Sequence, residues 1–201
     1  MSVLVMVAGA AAGLALARMV GVLRLRGRRA RARTTEGADG GAARADLFRT
    51  FPCKLGDVLI RRAELDEVWL AGALVLSEER PVAVLFVAPE AGGDRAVFVR
   101  ASSTEVEWLR PMPLAASLAV GRDPPGVWED AGTRLDRKRR LPVRIERLGT
   151  GAPDLGATAV VAEYGGPGIE RFLILAGARG ALAWRGVELT ADDYDVLPGA
   201  D

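Results

Sequence analysis

Apolar residues follow two different patterns along this chain, and the change falls near residue 34. The stretch from Val3 to Leu23 is apolar except for Arg18. As a helix rising about 1.5 Å per residue, it spans roughly 31 Å, close to the ~30 Å hydrocarbon layer of a membrane. The pattern therefore predicts a transmembrane helix over residues 1–23, with Arg18 reaching the headgroups from near one end.

Beyond residue 46 the apolar positions form short runs or alternate with polar ones, and turn residues separate the runs. This is the period of β-strands, and no segment in this region has the pattern of a long helix. Predicted strands cover residues 55–63, 67–77, 81–88, 95–100, 105–110, 141–148, 157–164, 169–177, 180–186 and 194–197. The predicted class is all-β, either barrel-like or sandwich-like.

The two halves of the β region resemble each other. The run "GALVLSEERPVAVLFVA" is similar to "ATAVVAEYGGPGIERFLILA", and Arg100 then corresponds to Arg185. The pattern predicts an internal duplication, with tandem small β units over residues 47–118 and 141–201. The polar stretch 119–140 is interpreted as their connector. The units are expected to pack face to face or to share a sheet.

Positive charge is concentrated directly after the apolar run. Residues 18–33 contain seven arginines and no acid, whereas all 26 acids of the chain lie at Glu36 or later. The positive-inside rule then places the β region in the cytoplasm and the N-terminus outside a bacterial inner membrane. Residues 24–46 are predicted to be an Arg-rich juxtamembrane segment and a flexible linker. The residues expected to contact anionic lipid headgroups are Arg18, Arg24, Arg26, Arg28, Arg29, Arg31 and Arg33.

Two alternatives to the membrane anchor remain: a cleaved signal peptide, and a peripheral or buried apolar helix. A signal peptide requires a positive n-region, which is absent, and the Arg-dense segment would resist translocation. Within the anchor, Gly9, Gly13 and Ala17 recur every four residues and form a small-residue face. Such a face lets two helix backbones approach closely, so it predicts helix–helix packing with a second copy or another protein.

The composition excludes several kinds of chemistry. The chain has no histidine and one cysteine, Cys53. Ser–His and Cys–His catalysis, a disulfide framework and multi-cysteine zinc sites are therefore excluded. Cys53 is expected to be a small buried residue. No phosphate-binding loop or calcium-loop motif is present. We expect no cofactor and no metal, and no catalytic residue is assigned.

A second basic cluster lies near the middle of the chain, beside a tryptophan in a polar segment. It lacks the interleaved aromatic residues that single-stranded nucleic acid requires, so no nucleic-acid partner is expected. A membrane surface or an acidic protein is the alternative to simple solvation. The candidate partner-contact residues are Trp128, Arg137, Lys138, Arg139 and Arg140.

A carboxylate-based enzyme is a further hypothesis. Its candidate pairs are Glu78 with Glu79, and Glu163 with Asp57. The criterion is a concave pocket in which two acids converge with raised pKa values.

The segments "LGDVLIRR", "WLRP" and "VVAEYGG" resemble an uncharacterised bacterial family of β-rich domains of unknown function. That outline has an "LGD" start, a central "EY" and a terminal "WL". Glu163-Tyr164 and Trp108-Leu109 match it. The resemblance implies a β-rich fold and brings no catalytic residue.

The sequence therefore favours a single-pass membrane protein whose cytoplasmic β region is a non-catalytic binding or scaffold module. Its expected partners are membrane lipids and a protein, or a second copy of the chain. The alternatives are an accessory structural subunit of a larger membrane complex, and a carboxylate-based enzyme.

Overall fold

The computed structural model describes residues 47–89, 94–113, 123–130, 132–166 and 168–199. These residues belong to one compact unit, Ala45–Asp201. Within the described ranges, no helix has the length and apolar character needed to span a bilayer. The predicted transmembrane helix over 1–23, its Gly9, Gly13 and Ala17 face, and the Arg-rich segment 24–46 all lie outside those ranges.

The all-β prediction is confirmed, because strands dominate the described part of the chain. Several predicted strands coincide with observed ones; residues 81–88 and 95–100, for example, are β4 and β5. In chain order the strands are β1 (Val58–Arg61), β2 (Asp66–Trp69), β3 (Gly72–Ser77), β4 (Pro81–Ala88), β5 (Arg95–Arg100), β6 (Val106–Met112), β7 (Val127–Asp130), β8 (Thr133–Gly149), β9 (Thr158–Gly165), β10 (Glu170–Gly177), β11 (Gly180–Leu189) and β12 (Tyr194–Leu197).

Eight of these strands close into an antiparallel barrel. Strands β3 to β6 form one four-stranded meander, and β8 to β11 form another. The meanders join at two seams, where β6 pairs with β11 and β3 pairs with β8. Strand β7 extends the sheet beyond β8, and β12, β1 and β2 form a separate three-stranded sheet.

Strands of both predicted units share one barrel, so of the two expected arrangements the sharing of a sheet is the one observed. The segment 119–140, interpreted from its polarity as a connector, contains β7 and the beginning of β8. Arg100 and Arg185 correspond in the sequence comparison, yet they lie on opposite faces of the barrel wall. Arg100 shares its face with Ala83, which packs in the interior, whereas Arg185 lies opposite Arg110 on the outside. The internal duplication stays a prediction.

The interior of the barrel, the lumen, is filled by apolar residues from all eight strands. In each strand these residues alternate with residues on the outer face, as the two-residue period of a strand requires. The principal lumen residues are Leu74, Leu76, Leu85, Phe98, Leu109, Val143, Val161, Leu173, Leu175 and Trp184.

Both outer faces of the barrel are also partly covered. Residues 47–53 and the small sheet pack against the outer face of β3 to β6, through Phe48, Leu59 and Leu70. Against β9 to β11 pack Leu135 and Trp128. Because both sides of these strands are buried, their sequences are nearly continuous apolar runs.

One end of the lumen is capped by the loop between β8 and β9. This loop inserts Ala152 and Leu155 into the lumen core. Gly177 permits the close approach, because a Cβ there would collide with the carbonyl oxygen of Leu155. We call this the capped end. The opposite end carries ionisable side chains and is called the charged end.

Candidate functional site

Charged residues occupy lumen-facing positions at the charged end. The strand register places Glu107 opposite Glu188 across the β6–β11 seam, and Arg139 opposite Glu163 between β8 and β9. Arg100 follows Phe98 on the same face of β5, and its guanidinium carbon lies 5.4 Å from the Phe98 ring centroid. Each of these positions continues a row of apolar lumen residues, so the change from apolar to charged occurs within single strands.

Arg100 bridges two buried carboxylates, and the three residues together are called the Arg100 cluster. Its Nε donates to Glu163 Oε2 at 2.9 Å, and its Nη2 lies 2.8 Å from the same oxygen. Nη2 also donates to Glu107 Oε1. Glu107 is 2% exposed and Glu163 is 7% exposed. The cluster connects β5, β6 and β9, so it ties opposite walls of the barrel together.

Burial raises the pKa of Glu107 to about 7, against the lowering effect of Arg100. The nearby Glu163 charge also contributes to this raised pKa, whereas Arg171 has a lowering effect. Arg171 itself forms a two-point ion pair with Glu188, with Nε–Oε2 at 3.1 Å and Nη2–Oε1 at 2.5 Å. Glu107 therefore titrates near neutral pH inside a network of alternating charges.

Above the Arg100 cluster lies a cavity of about 660 Å³, which we call the basin. Three arginines line it: Arg80, Arg100 and Arg139. Its other lining residues are Thr50, Pro81, Val82, Ala101, Ser102, Ser103, Thr104 and Glu105. The basin is consequently rich in guanidinium and hydroxyl donors, and Glu105 is the one carboxylate among these lining residues.

The basin loop, residues 101–105, is held by several hydrogen bonds. Ala101 N donates to Val82 O at 3.0 Å, and Ser102 N donates to Thr50 O at 2.8 Å. Tyr194 Oη donates to Thr104 O at 2.7 Å, which fastens the loop to β12. Ser102 has a φ of 62°, a left-handed conformation that costs a non-glycine residue free energy. The loop is thus fixed in an unfavourable local conformation beside the cavity.

A β-bulge at Lys138 directs Arg139 into the basin. Arg137 pairs with Tyr164 and Arg139 with Glu163, and the register shifts between them. In a regular strand, residues two apart share a face, so both arginines would point the same way. The extra residue instead places Arg137 with the outward-facing Tyr164 and Arg139 with the lumen-facing Glu163. Bulges of this kind re-aim side chains in many binding sites.

The predicted partner-contact residues have separate locations. Trp128 is half-buried and stacks on Phe172, with centroids 5.1 Å apart. Arg137 donates to Pro124 O at 2.6 Å, and Arg140 pairs with Asp123. Lys138 is exposed on the bulge. Of the five candidates, only Arg139 lines the basin.

The predicted carboxylate pairs are not brought together as a site. Asp57 accepts hydrogen bonds from Lys54 N and Gly199 N, both at 2.9 Å, so it fixes the turn before β1. Glu163 contacts Arg100 instead. Glu78 and Glu79 are exposed in the β3–β4 turn. Cys53 is buried as predicted, and burial raises the pKa of its thiol.

Sequence reasoning missed Glu107 as a partner for Glu163. In "EVEWLR", Glu107 alternates with Val106 and Trp108, which is the ordinary pattern of a strand with one face in water. The outer face of β6 is covered by the small sheet, so the glutamate faces the lumen instead. The available signal was an arginine at the end of one strand followed by a glutamate near the start of the next, Arg100 in β5 and Glu107 in β6.

A second concavity, of about 480 Å³, lies along β8, β9 and β10. The arginine that lines it, Arg144, donates to the backbone oxygen of Glu78 at 2.7 Å. Asp123, also in its lining, pairs with Arg140. Its arginine and Asp123 therefore already have partners, which makes the basin the better candidate site. Among the described residues, no group of three or more His, Cys, Asp or Glu side chains is placed to hold a metal ion.

Comparison of the chain with models of protein families, with curated protein sequences and with solved structures gives no match. The resemblance to a family of unknown function therefore stays a prediction.

Proposed function

We propose that this chain is a single-pass inner-membrane protein whose cytoplasmic β domain is a non-catalytic binding module, with the basin as its binding site. The N-terminal apolar run and the arginines that follow it support the anchor and the orientation. The basin supports the binding role. The proposed partners are a protein or second copy of the chain that engages the basin, together with anionic lipid headgroups along residues 18–33.

The observation that carries the proposal is that two arginine side chains of the basin have no partner among the described residues. Among the described residues, the side chains of Arg80 and Arg139 form no ion pair or hydrogen bond. Most other arginines that the structure describes have a carboxylate or carbonyl partner. Two unpaired guanidinium groups on one concave surface favour a negatively charged or hydrogen-bond-accepting ligand.

The test is purification of the C-terminally tagged full-length chain from native membranes, followed by mass spectrometry of proteins and small molecules that accompany it. The double variant Arg80→Ser/Arg139→Ser removes both free arginines from the basin. We expect a stoichiometric companion of the wild-type chain to be lost from this variant.

The matched control is Arg110→Ser/Arg134→Ser, which removes the same charge from exposed positions outside the basin lining and away from the bulge at Lys138. We expect the control to keep the companion. A companion kept equally by both variants would contradict the basin as the binding site and favour the accessory-subunit alternative, with contacts elsewhere on the chain.

A carboxylate-based enzyme is the second candidate, and the Arg100 cluster is the observation that favours it. Glu107 and Glu163 converge on one arginine beneath a cavity, and the pKa of Glu107 is raised to about 7. A general acid needs such a pKa. Both carboxylates, however, are bonded to Arg100 and are less than a tenth exposed. Turnover of any copurified compound that is abolished by Glu107→Gln would establish this candidate over the binding module.

A further inference from the structure

We infer that the basin binds a phosphate group, presented as a phosphomonoester or as free phosphate. This inference rests on the proposed binding function and names the ligand class of the same site. The chemistry of the basin donors, the charge balance of its wall and the fixed geometry of its loop each support it.

The donors of the basin match a tetrahedral oxyanion. Arg80 and Arg139 offer planar guanidinium forks, which bind phosphate oxygens in two-point fashion. The hydroxyls of Thr50, Ser102 and Thr104 line the same cavity, and no hydrogen bond from them is formed within the described residues. Hydroxyl groups donate readily to phosphate oxygens. A cavity of about 660 Å³ also leaves room for the group to which the phosphate is attached.

The charge balance favours an anion in spite of nearby acids. Arg100 is engaged by Glu107 and Glu163, so it contributes little free positive charge to the cavity. Arg80 and Arg139 remain, against the single exposed carboxylate of Glu105. The exposed residues of the lining therefore carry more positive than negative charge, and the Arg100 cluster beneath them adds no positive charge because it sets one arginine against two carboxylates. The Arg100 cluster lies beneath the cavity, and an anion could not displace it without breaking buried ion pairs.

The backbone that carries these donors is set before any ligand arrives. The bulge at Lys138 determines that Arg139 and not Arg137 faces the cavity. The hydrogen bonds of the basin loop hold Ser102 in its left-handed conformation. Strain that is maintained by surrounding contacts is common at ligand-binding positions. Preorganised donors bind more tightly because less ordering is required on binding.

The experiment measures phosphate binding by the full-length chain in nanodiscs of phosphatidylcholine, by isothermal titration calorimetry with inorganic phosphate. We expect saturable binding that weakens as sodium chloride is raised. In Arg80→Ser/Arg139→Ser we expect at least a tenfold loss of affinity. Arg110→Ser/Arg134→Ser, with the same loss of charge at positions outside the basin lining, should bind as the wild type does. Absence of binding at millimolar phosphate, or equal loss in both variants, would overturn the inference.

Titration with acetate in place of phosphate tests the ligand class. Acetate has two oxygens, so it cannot accept from Arg80, Arg139 and the hydroxyl groups at the same time. Acetate binding as tight as phosphate would also overturn it. The source of the phosphate is resolved by adding phosphatidic acid to the same nanodisc. Reduced affinity for inorganic phosphate then indicates a lipid headgroup in the basin, and unchanged affinity indicates a soluble phosphomonoester; both support a phosphate site.

Failure of this inference is distinguishable from failure of the proposed function. A chain that binds no phosphate, but whose companion is still lost in the basin variant, retains the binding module with a different ligand. A chain that binds phosphate in the basin, but keeps its companion in both variants, retains the phosphate site and loses the basin as the companion's binding surface.

Discussion

The two ends of the lumen differ in the side chains that the same strands place there, which are apolar at one end and ionisable at the other. At the capped end, a loop inserts Ala152 and Leu155 and continues the apolar core. At the charged end, the same strands place Arg100, Glu107 and Glu163 in the lumen, and a cavity remains above them. Burying apolar surface stabilises a fold, whereas burying ions costs solvation free energy that their attraction only partly returns. The capped end therefore stabilises the fold, and the charged end is where we propose that a ligand binds.

The largest expected effect comes from removing the arginine that pairs the two carboxylates. Arg100→Met leaves Glu107 and Glu163 buried without their common partner. We expect a loss of about 3 kcal/mol in the free energy of unfolding, because an unpaired buried charge is strongly destabilising. Urea unfolding of the full-length chain, followed by tryptophan fluorescence, measures it.

The control is Arg185→Met. Arg185 has nearly the same side-chain exposure, 28% against 25%, and its bond to Glu170 is 3.3 Å long. Its loss should be clearly smaller. Equal losses for the two variants would show that the charged end does not depend on the Arg100 cluster.

A smaller effect is expected at the capped end. Leu155→Ala removes a side chain that is 2% exposed and lies in the lumen core. The expected loss is about 2 kcal/mol, at the lower limit for a buried leucine because the loop can partly collapse. The same unfolding experiment measures it, and phosphate titration of this variant should give wild-type affinity. A weakened affinity would mean that the two ends are coupled.

The charged end should also make the stability of the fold depend on pH. The pKa of Glu107 is raised from 4.5 to about 7 in the folded chain, so the folded state binds the proton more tightly than the unfolded state. Its contribution to stability is therefore complete below pH 4.5 and is lost as the pH rises through 7. Glu107→Gln should flatten the decrease in stability between pH 4.5 and 7.

Carboxylates with lowered pKa values, such as Asp193 and Asp195, do not interfere in that interval. Arg62 lowers the pKa of Asp195, and hydrogen bonds from Thr190 lower that of Asp193. They lose their contributions only at lower pH. A slope between pH 4.5 and 7 that is identical in wild type and Glu107→Gln would assign the pH dependence to another group.

Local patterns predicted the strands well and their assembly poorly. Predicted strands 81–88, 95–100 and 194–197 have the observed bounds, because turn residues and apolar runs are visible within each segment. The β3–β8 seam joins Gly72 to Gly149, and no local pattern specifies a pairing over that distance. A shared sheet was therefore one of two expected arrangements, and its closure into a barrel through this seam was not predicted.

Strand β8 was only half predicted for a different reason. Its first part, "TRLDRKRR", has polar residues on both faces, and Leu135 is its one buried residue. The hydrophobic period that reveals a strand is therefore missing. The same property made Arg139 indistinguishable from its basic neighbours, because only the bulge at Lys138 assigns it to the lumen.

The pairing of β1 with β12 has a consequence for synthesis on the ribosome. Val58 lies opposite Leu197, so the small sheet cannot be completed until residue 197 has emerged. The β3–β8 seam likewise leaves the first meander with an open edge until residues 144–149 are available. Non-local pairings of this kind form late and leave strand edges exposed in the nascent chain. The domain is therefore expected to fold after translation of nearly its whole length, and to depend on protection of those edges until then.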